Sequence, residues 1–234
     1  MKTIMITQSN YIPWKGYFDA INRADEFVLF DDMQYTKRDW RNRNKIKTST
    51  GLQWLSIPVE VKGKFFQKIK ETKIIDKNWN KKHWNIIKHN YSKAIYFKEY
   101  KDFFEDMYLN CNTEYLSEIN FVFLKAVCDL INIKTTFRWS SEFELRGDKS
   151  EKLLNLCLDT GASTYYSGPA AKDYLNEELF MKKKVNVEWL DYSGYKEYEQ
   201  LYPPFEHEVS ILDLLFNAGK DAVRYMKSFS DAGK

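Results

Sequence analysis

Residues 3–30 read TIMITQSNYIPWKGYFDAINRADEFVLF, and this stretch decides the fold. An apolar run at residues 4–6 ends in polar side chains, residues 16–23 carry apolar side chains at helical spacing, and residues 26–30, EFVLF, form a second, mostly apolar run. A strand, a short helix and a strand within about thirty residues are typical of a βαβ unit. Because such crossovers are right-handed and make the two strands parallel, we expect the polar residues after each strand to meet at one edge of a sheet.

The rest of the chain continues this alternation of strand and helix. Residues 53–61 alternate apolar and polar side chains, which predicts a strand and is compatible with a hairpin. Periodicity predicts helices near residues 81–91, 98–109, 115–130, 149–158 and 211–216, and strands at 135–139, 164–167 and 185–190. We therefore predict an α/β fold with a three-layer, mostly parallel, Rossmann-like sheet. We expect one domain, residues 1–234, with a helical subdomain inserted around residues 76–131.

The composition favours a soluble protein of the cytoplasm. The net charge of +3, from 36 basic and 33 acidic residues, gives no electrostatic indication of a nucleic-acid-binding protein. Cys111, Cys128 and Cys157 have no paired spacing, so we expect buried, free thiols in a reducing compartment. The N-terminus has no signal-peptide pattern, and no apolar run approaches the roughly 20 residues of a membrane span.

Polar and aromatic side chains follow the first two predicted strands. The candidates for binding or catalysis there are Gln8, Asn10, Tyr11 and Trp14 after the first strand and Asp32 and Gln34 after the second. In open α/β sheets ligands bind outside the carboxyl ends of the strands, which favours a binding loop at this edge. We interpret Trp14 or Tyr11 as a ring that stacks on a sugar or base, and Asp32 as a general base. The alternative is a turn that Asp32 only caps.

A basic segment, KRDWRNRNKIK at residues 37–47, follows the second strand end directly. We interpret Arg38, Arg43 and Lys45 as ligands of a diphosphate, and Asn42 and Asn44 as ligands of hydroxyl groups. A run of charges can also be a solvated surface. RNA binding, with Trp40 stacking on a base, is a weaker alternative that depends on this segment alone.

Other sequence patterns offer less. Ser167 and Gly168 begin a small-residue turn, SGPAA, that precedes a predicted helical stretch to Tyr174, so its backbone N–H groups are candidates for binding a phosphate. His83 and His89 lie six residues apart, and no C-x-x-C pair exists, so we predict no metal site. No G-x-S-x-G motif is present, which argues against a serine nucleophile. His83 remains as a second candidate general base.

The chain resembles the WbqC-like protein family along nearly its whole length. The stretches that carry this resemblance are residues 8–18, 31–35, 42–47, His83-Trp84 with Tyr91, Ala94 and Phe97, residues 165–171 with Tyr174, and residues 210–217 with Gly219. Two departures are visible: Gln8-Ser9 stands where many members have Gln-Pro, and Ala218 stands where Cys is common. A nucleophilic Cys at that position is therefore not expected here.

The resemblance implies a place in bacterial O-antigen and related surface-polysaccharide biosynthesis, where transfer of glycine to an amino sugar has been suggested. The opening is also similar to that of HxGH nucleotidyltransferases and pantothenate synthetase, which activate a carboxylate as an adenylate. Here, however, Trp14 and Tyr17 occupy the two His positions around Gly16. A ring without a cation cannot stabilise phosphate charge in the same way, so the use of ATP stays open.

Two hypotheses of different classes follow. The first is an N-acyl or aminoacyl (glycine) transferase that acts on a nucleotide-linked amino sugar, with acyl-CoA, an ATP-derived adenylate or an aminoacyl donor as the second substrate. The second is a non-catalytic nucleotide-sugar-binding or scaffold protein of a polysaccharide assembly system, because the sequence contains no complete catalytic constellation.

Overall fold

A computed structural model of the chain describes residues 1–229. Its strands are β1 (Thr3–Thr7), β2 (Glu26–Leu29), β3 (Arg43–Thr48), β4 (Gly51–Ser56), β5 (Thr136–Trp139), β6 (Thr164–Ser167) and β7 (Asn186–Trp189). Its α-helices are α1 (Lys15–Arg23), α2 (Trp79–Tyr91), α3 (Phe97–Leu109), α4 (Leu116–Leu130), α5 (Lys149–Asp159), α6 (Glu177–Lys182) and α7 (Ile211–Ala218). Within the described residues, no helix is long and apolar enough to cross a membrane.

The central sheet has five parallel strands in the order β5-β2-β1-β6-β7. Ile4 of β1 lies opposite Glu26 of β2 on one side and Tyr165 of β6 on the other. The predicted βαβ opening is therefore confirmed. The chain builds outward from β1 to β5, then returns to the opposite side of β1 to form β6. The boundary between β1 and β6 is thus a topological switch point, where α/β sheets bind ligands.

Helices cover both faces of the sheet, which confirms the three-layer α/β prediction. Alternate residues of β1 enter two different cores, because successive strand side chains point to opposite faces. Met5 belongs to the larger core, which also contains residues of α1, α2, α3, α4 and α7. Ile4 and Ile6 belong to the smaller core, where they pack with residues of α5 and α6 such as Leu156 and Phe180.

The helices predicted between residues 76 and 131 are confirmed and begin within two residues of their predicted starts. An aromatic cluster holds α2, α3 and α4 together. Trp79, Tyr108 and Phe123 are nearly inaccessible to solvent, and the rings of Tyr108 and Phe123 meet edge to face at 4.8 Å between centroids. Whether these helices form a subdomain stays a prediction.

Two local predictions differ from the structure. Residues 43–48, predicted as part of a polar, basic segment, form β3, which pairs antiparallel with β4. Charges concealed this strand, because Ile46 is its only large apolar residue. The strand predicted at 53–61 begins at Gly51 and ends at Ser56. The helical stretch predicted after Gly168 is confirmed as a 3-10 helix, Pro169–Asp173, whereas the short helix α6 was not predicted.

Candidate functional site

A cleft of about 990 Å³ lies at the carboxyl ends of β1 and β6, at the topological switch point. The residues that directly follow β1 and β6 line the cleft. Residues of α1, of α5 and of the segment between β7 and α7 line it as well. The residues that line the cleft include Gln8, Asn10, Trp14, Tyr17, Arg41, Asn44, Lys149, Lys152, Ser167, Gly168, Tyr174, Tyr192, Tyr195, His207 and Glu208. A volume of this size accommodates a ligand of several rings.

The loop after β1 is held in place by residues of the basic segment. Arg41 donates a hydrogen bond to Gln8 Oε1 at 3.2 Å and another to Asn10 Oδ1. Asn44 donates from Nδ2 to the carbonyl of Ile12 at 2.7 Å. Ile12 has a φ of +33°, a backbone conformation that a β-branched residue rarely adopts. Such strain is maintained only where surrounding contacts enforce it, and it is characteristic of functional loops.

Aromatic side chains form one wall of the cleft. Trp14 meets Tyr192 at 5.6 Å and Tyr195 at 5.4 Å between ring centroids, both edge to face. The indole lies directly over Gly16, where an added Cβ would be only 2.3 Å from a ring carbon of Trp14. Gly16 therefore permits the close approach of Trp14 to α1. Tyr17 is fixed nearby because its hydroxyl donates to the carbonyl of Gln8 at 2.7 Å.

Three cations reach the cleft from two directions. Arg41 enters from the side of β1, and Lys149 and Lys152 project from the first turn of α5, three residues apart on one helix face. Lys149 Nζ lies 5.7 Å from the centroid of the Tyr174 ring. One carboxylate, Glu208, also lines the cleft, but it forms an ion pair with Lys45 at 3.3 Å. The arrangement favours an anionic ligand.

His207 is the titratable cleft residue best suited to take up a proton. Its Nδ1 is buried and has no hydrogen-bond partner within residues 1–229. Burial, and secondarily the nearby Lys15, lower the pKa of His207, so the ring is neutral at neutral pH. Lys15 itself is buried, and this burial lowers the pKa of its amine to about 8 despite nearby carboxylates. A buried, unpaired polar atom beside a cleft calls for a functional explanation.

The end of β6 supplies the opposite side of the cleft. Ser167 is buried and its hydroxyl donates to that of Tyr165 at 3.4 Å. Gly168 lies close to the aromatic wall, since a Cβ at this position would be 4.0 Å from the hydroxyl of Tyr192. Both residues line the cleft, as do the predicted residues Gln8, Asn10, Trp14 and Asn44.

The carboxylates at the end of β2 are sequestered, unlike the polar residues after β1. Asp31 accepts hydrogen bonds from the backbone N–H of Ser9 at 2.8 Å and from the hydroxyl of Ser117. Asp32 pairs with Lys70 at 2.6 Å and Lys68 at 3.1 Å. Burial acts to raise the pKa of Asp32, but the hydrogen bonds from Lys70, Lys68 and Ser140 outweigh it and hold the pKa below its usual value. Neither carboxylate is among the residues that line the cleft.

Tyr11 and His83 lie in the core rather than at the cleft. Tyr11 is 0% exposed, and its hydroxyl lies 2.8 Å from His83 Nδ1 and 2.9 Å from the hydroxyl of Tyr108. His83 Nε2 lies 3.2 Å from the carbonyl of Ser56, so this nitrogen donates and Nδ1 accepts from Tyr11. Burial lowers the pKa of His83 to about 4. In this arrangement the Tyr11 ring cannot stack on a ligand.

The remaining predicted ligands do not line the cleft. Lys45 reaches it through Glu208, whereas Arg43 lies over the ring of Trp54, 4.1 Å from its centroid. The Nδ2 of Asn42 donates to the carbonyl of Ile57 at 2.8 Å. Gln34 donates to the carbonyl of Phe65, and the carbonyl of Arg38 accepts from Arg43. None of these five side chains is among those that line the cleft.

Comparison with known proteins identifies the family. The WbqC-like protein family matches residues 8–225. The chain belongs to the WbqC-like protein family. It is also 50% identical, over 227 residues that make up 97% of this chain and 98% of the relative, to the uncharacterized protein Rv1507c of Mycobacterium tuberculosis (strain ATCC 25618 / H37Rv). No solved structure matches the chain.

Several cleft residues of this WbqC-like protein escaped the sequence analysis. Arg41 lies in the predicted basic segment but was not singled out there. His207, Tyr192 and Tyr195 lie between β7 and α7, in a connection of about 20 residues without helix or strand, a length that is itself an indication of function. The concentration of tyrosine at residues 192–202 was the available signal. Within residues 1–229, no group of three or more His, Cys, Asp or Glu side chains is placed to hold a metal ion.

Proposed function

We propose that this WbqC-like protein is an N-acyl or aminoacyl transferase that acts on a nucleotide-linked amino sugar in bacterial O-antigen or surface-polysaccharide biosynthesis. The observation that carries the proposal is the composition of one cleft: an aromatic wall, three cations and a neutral histidine face the same space. In this proposal the aromatic wall binds the base or sugar ring of such a substrate, the cations bind its diphosphate, and the histidine takes the proton of its amine.

Binding of the nucleotide part follows from the cations and rings. Arg41 can engage phosphate oxygens through its planar guanidinium, with Lys149 and Lys152 as further point charges. Trp14 and Tyr192 offer ring faces or edges to the base or sugar, whose hydroxyl groups can reach the amides of Gln8 and Asn10. Arg41 already fixes both amides, so it would connect recognition of the diphosphate with recognition of the sugar.

The chemistry requires a base near the sugar amine. In the proposed step the amine lone pair forms a C–N bond with the acyl carbon, and the amine proton passes to the neutral ring of His207. The bond from the acyl carbon to the leaving group of the donor breaks, and the protonated ring returns the proton to that group. We therefore move the role of general base from Asp32 and His83 to His207, because only His207 lines the cleft.

The donor is an activated acyl group with a good leaving group. An acyl thioester such as acyl-CoA, an acyl adenylate made from ATP and an aminoacyl ester all meet this requirement. Lys15 contributes to the same step through its positive charge. This charge lowers the pKa of His207, so the ring is neutral before the amine binds.

The test combines binding with turnover. Calorimetry measures binding of UDP- and dTDP-linked amino sugars, and mass spectrometry measures product formation with each of the three donor classes. For His207→Gln we expect a rate about 100-fold lower with unchanged affinity for the nucleotide sugar. For Arg41→Ala we expect an affinity roughly tenfold lower, through loss of charge-assisted hydrogen bonds. His89→Gln and Arg224→Ala, which replace exposed residues of the same types, serve as matched controls.

The results distinguish a transferase from a binding protein and test the assignment of the nucleotide site. Tight binding without turnover by any donor class would support the alternative, a non-catalytic nucleotide-sugar-binding or scaffold protein. Binding that Arg41→Ala leaves unchanged would refute the assignment of the cleft as the nucleotide site.

A further inference from the structure

Two neighbouring phenylalanines project from the surface on a lysine-rich loop, residues 61–68 (VKGKFFQK), called here the Phe65 loop. Phe65 is 72% exposed and Phe66 is 83% exposed, and neither ring packs in either core. The two rings meet edge to face at 5.0 Å between centroids, so they form one apolar tip. Two exposed aromatic side chains that form one tip are a candidate interaction surface.

The exposure of these rings does not come from a loose loop. Gln67 donates from Nε2 to the carbonyl of Glu60 at 2.7 Å, and Gln34 donates from Nε2 to the carbonyl of Phe65 at 2.7 Å. Gly63 has a φ of +72°, which lets the chain reverse direction just before the tip. The fold therefore holds the two rings outward.

The charge around the tip is positive. Residues 60–73 contain five lysines against two glutamates, which leaves a net charge of +3 in this segment. Lys62 and Lys64 directly precede the rings and are exposed. Lys64 pairs with Glu60, and Lys68 and Lys70 pair with Asp32, but the side chains of all three lysines remain 35% to 44% exposed.

We propose that the Phe65 loop docks this protein onto an anionic lipid surface, with both rings inserted among the headgroups and the lysines facing lipid phosphates. Aromatic rings enter the interfacial region of a bilayer, and nearby lysines gain from its negative potential. A protein partner fits less well, since two rings fall far short of the roughly 1,000 Å² that a specific protein interface buries. The inference is independent of the proposed function.

The base of the loop is attached to the segment after β2, which also contributes to the cleft. The backbone N–H of Ile69, next to the loop, donates to the carbonyl of Met33 at 2.9 Å, and the side chain of Met33 lines the cleft. Tyr35 N–H donates to the carbonyl of Gln67 at 2.9 Å, which fixes the base of the loop to the segment after β2.

Vesicle flotation tests the proposal with the full-length protein. We expect the protein to float with vesicles of phosphatidylcholine and phosphatidylglycerol, to remain below with phosphatidylcholine alone, and to dissociate as salt is raised. A Phe65→Ser/Phe66→Ser variant should bind the anionic vesicles at least about tenfold more weakly than the wild type. Its melting temperature should be unchanged, because the two rings are exposed. An Ile95→Ser/Met181→Ser variant, which removes two other side chains that are each 73% exposed, should bind like the wild type.

Three outcomes would overturn the proposal. The first is an absence of flotation with anionic vesicles, and the second is flotation that the Phe65→Ser/Phe66→Ser variant retains in full. The third is self-association in sedimentation velocity that disappears in this variant without any lipid binding, which would make the tip a contact between two copies of the chain.

Discussion

The ends of β1 and β2 lie side by side at one edge of the sheet, and both carry polar residues, but only the polar residues after β1 face the cleft. After β1, Gln8 and Asn10 face a cleft of about 990 Å³. After β2, Asp31 and Asp32 are 1% and 9% exposed and are saturated with hydrogen bonds and ion pairs. Adjacent strand ends of similar composition thus have different structural roles.

The end of β2 supports the loop after β1. Asp31 accepts from the N–H of Ser9, which lies between Gln8 and Asn10, so a carboxylate after β2 holds the loop after β1. Asn120 adds to this support by donating to the hydroxyl of Ser9 at 2.9 Å. The residues after β2 therefore position the loop, whereas those after β1 are placed to contact a ligand. Mutations distinguish the two roles.

Asp31→Ala should have the largest effect on stability. It leaves two buried donors, the N–H of Ser9 and the hydroxyl of Ser117, without an acceptor, at about 1 to 3 kcal/mol each. We expect the free energy of unfolding, measured in urea, to fall by about 4 kcal/mol, and Asp31→Asn, which keeps one acceptor, to lose roughly half as much. Asp221→Ala, at an exposed ion pair, should change little. Loss of ligand binding at unchanged stability would instead place Asp31 in the binding site.

The stability of the protein should depend on pH through His83. The pKa of this buried ring is about 4, below the usual value of 6.5, so the unfolded chain takes up a proton that the folded protein refuses. Stability is therefore lost as pH falls from about 6.5 towards 4, by about 3 kcal/mol. Asp31 and Asp213 oppose this trend, since burial raises the pKa of both despite their hydrogen bonds.

A variant isolates the contribution of this one histidine. His83→Gln has no titrating ring, so the difference in unfolding free energy between wild type and variant should narrow by about 3 kcal/mol between about pH 7 and about pH 4. A difference that stays constant over this range would mean that the ring is protonated in the folded protein and that the Tyr11 contact is made differently. His89→Gln, at an exposed site, is the matched control.

The sequence was sufficient for the fold because its signals are local. The period of apolar residues predicted the strands of the βαβ opening and the helices α2, α3 and α4. The sequence also predicted the polar residues at the ends of both strands. It could not predict that only those after β1 face the cleft, because this depends on residues far away in the chain.

Two examples explain what the sequence could not give. Lys68 and Lys70 pair with Asp32 after β2, yet nothing in a lysine-rich stretch about 36 residues later connects it with this carboxylate. Tyr11 looked suited to stacking on a ligand, but α2 and α3 cover its ring and supply its partners His83 and Tyr108. His207 lies in a connection without periodicity, so only the assembled fold reveals its place beside the cleft.

Asp32→Asn gives the smallest expected effect and the sharpest contrast between the two strand ends. The lysines that pair with Asp32 are 44% and 35% exposed, so solvent screens the pairs and we expect a loss of about 1 kcal/mol that shrinks with added salt. Because the pKa of Asp32 is lowered, this contribution is present above the usual value of 3.8 and disappears as pH falls below it. Turnover should stay at the wild-type rate. A folded Asp32→Asn protein that turned over about 100-fold more slowly would return the general base to the end of β2 and make that end, rather than His207, the reactive part of the molecule.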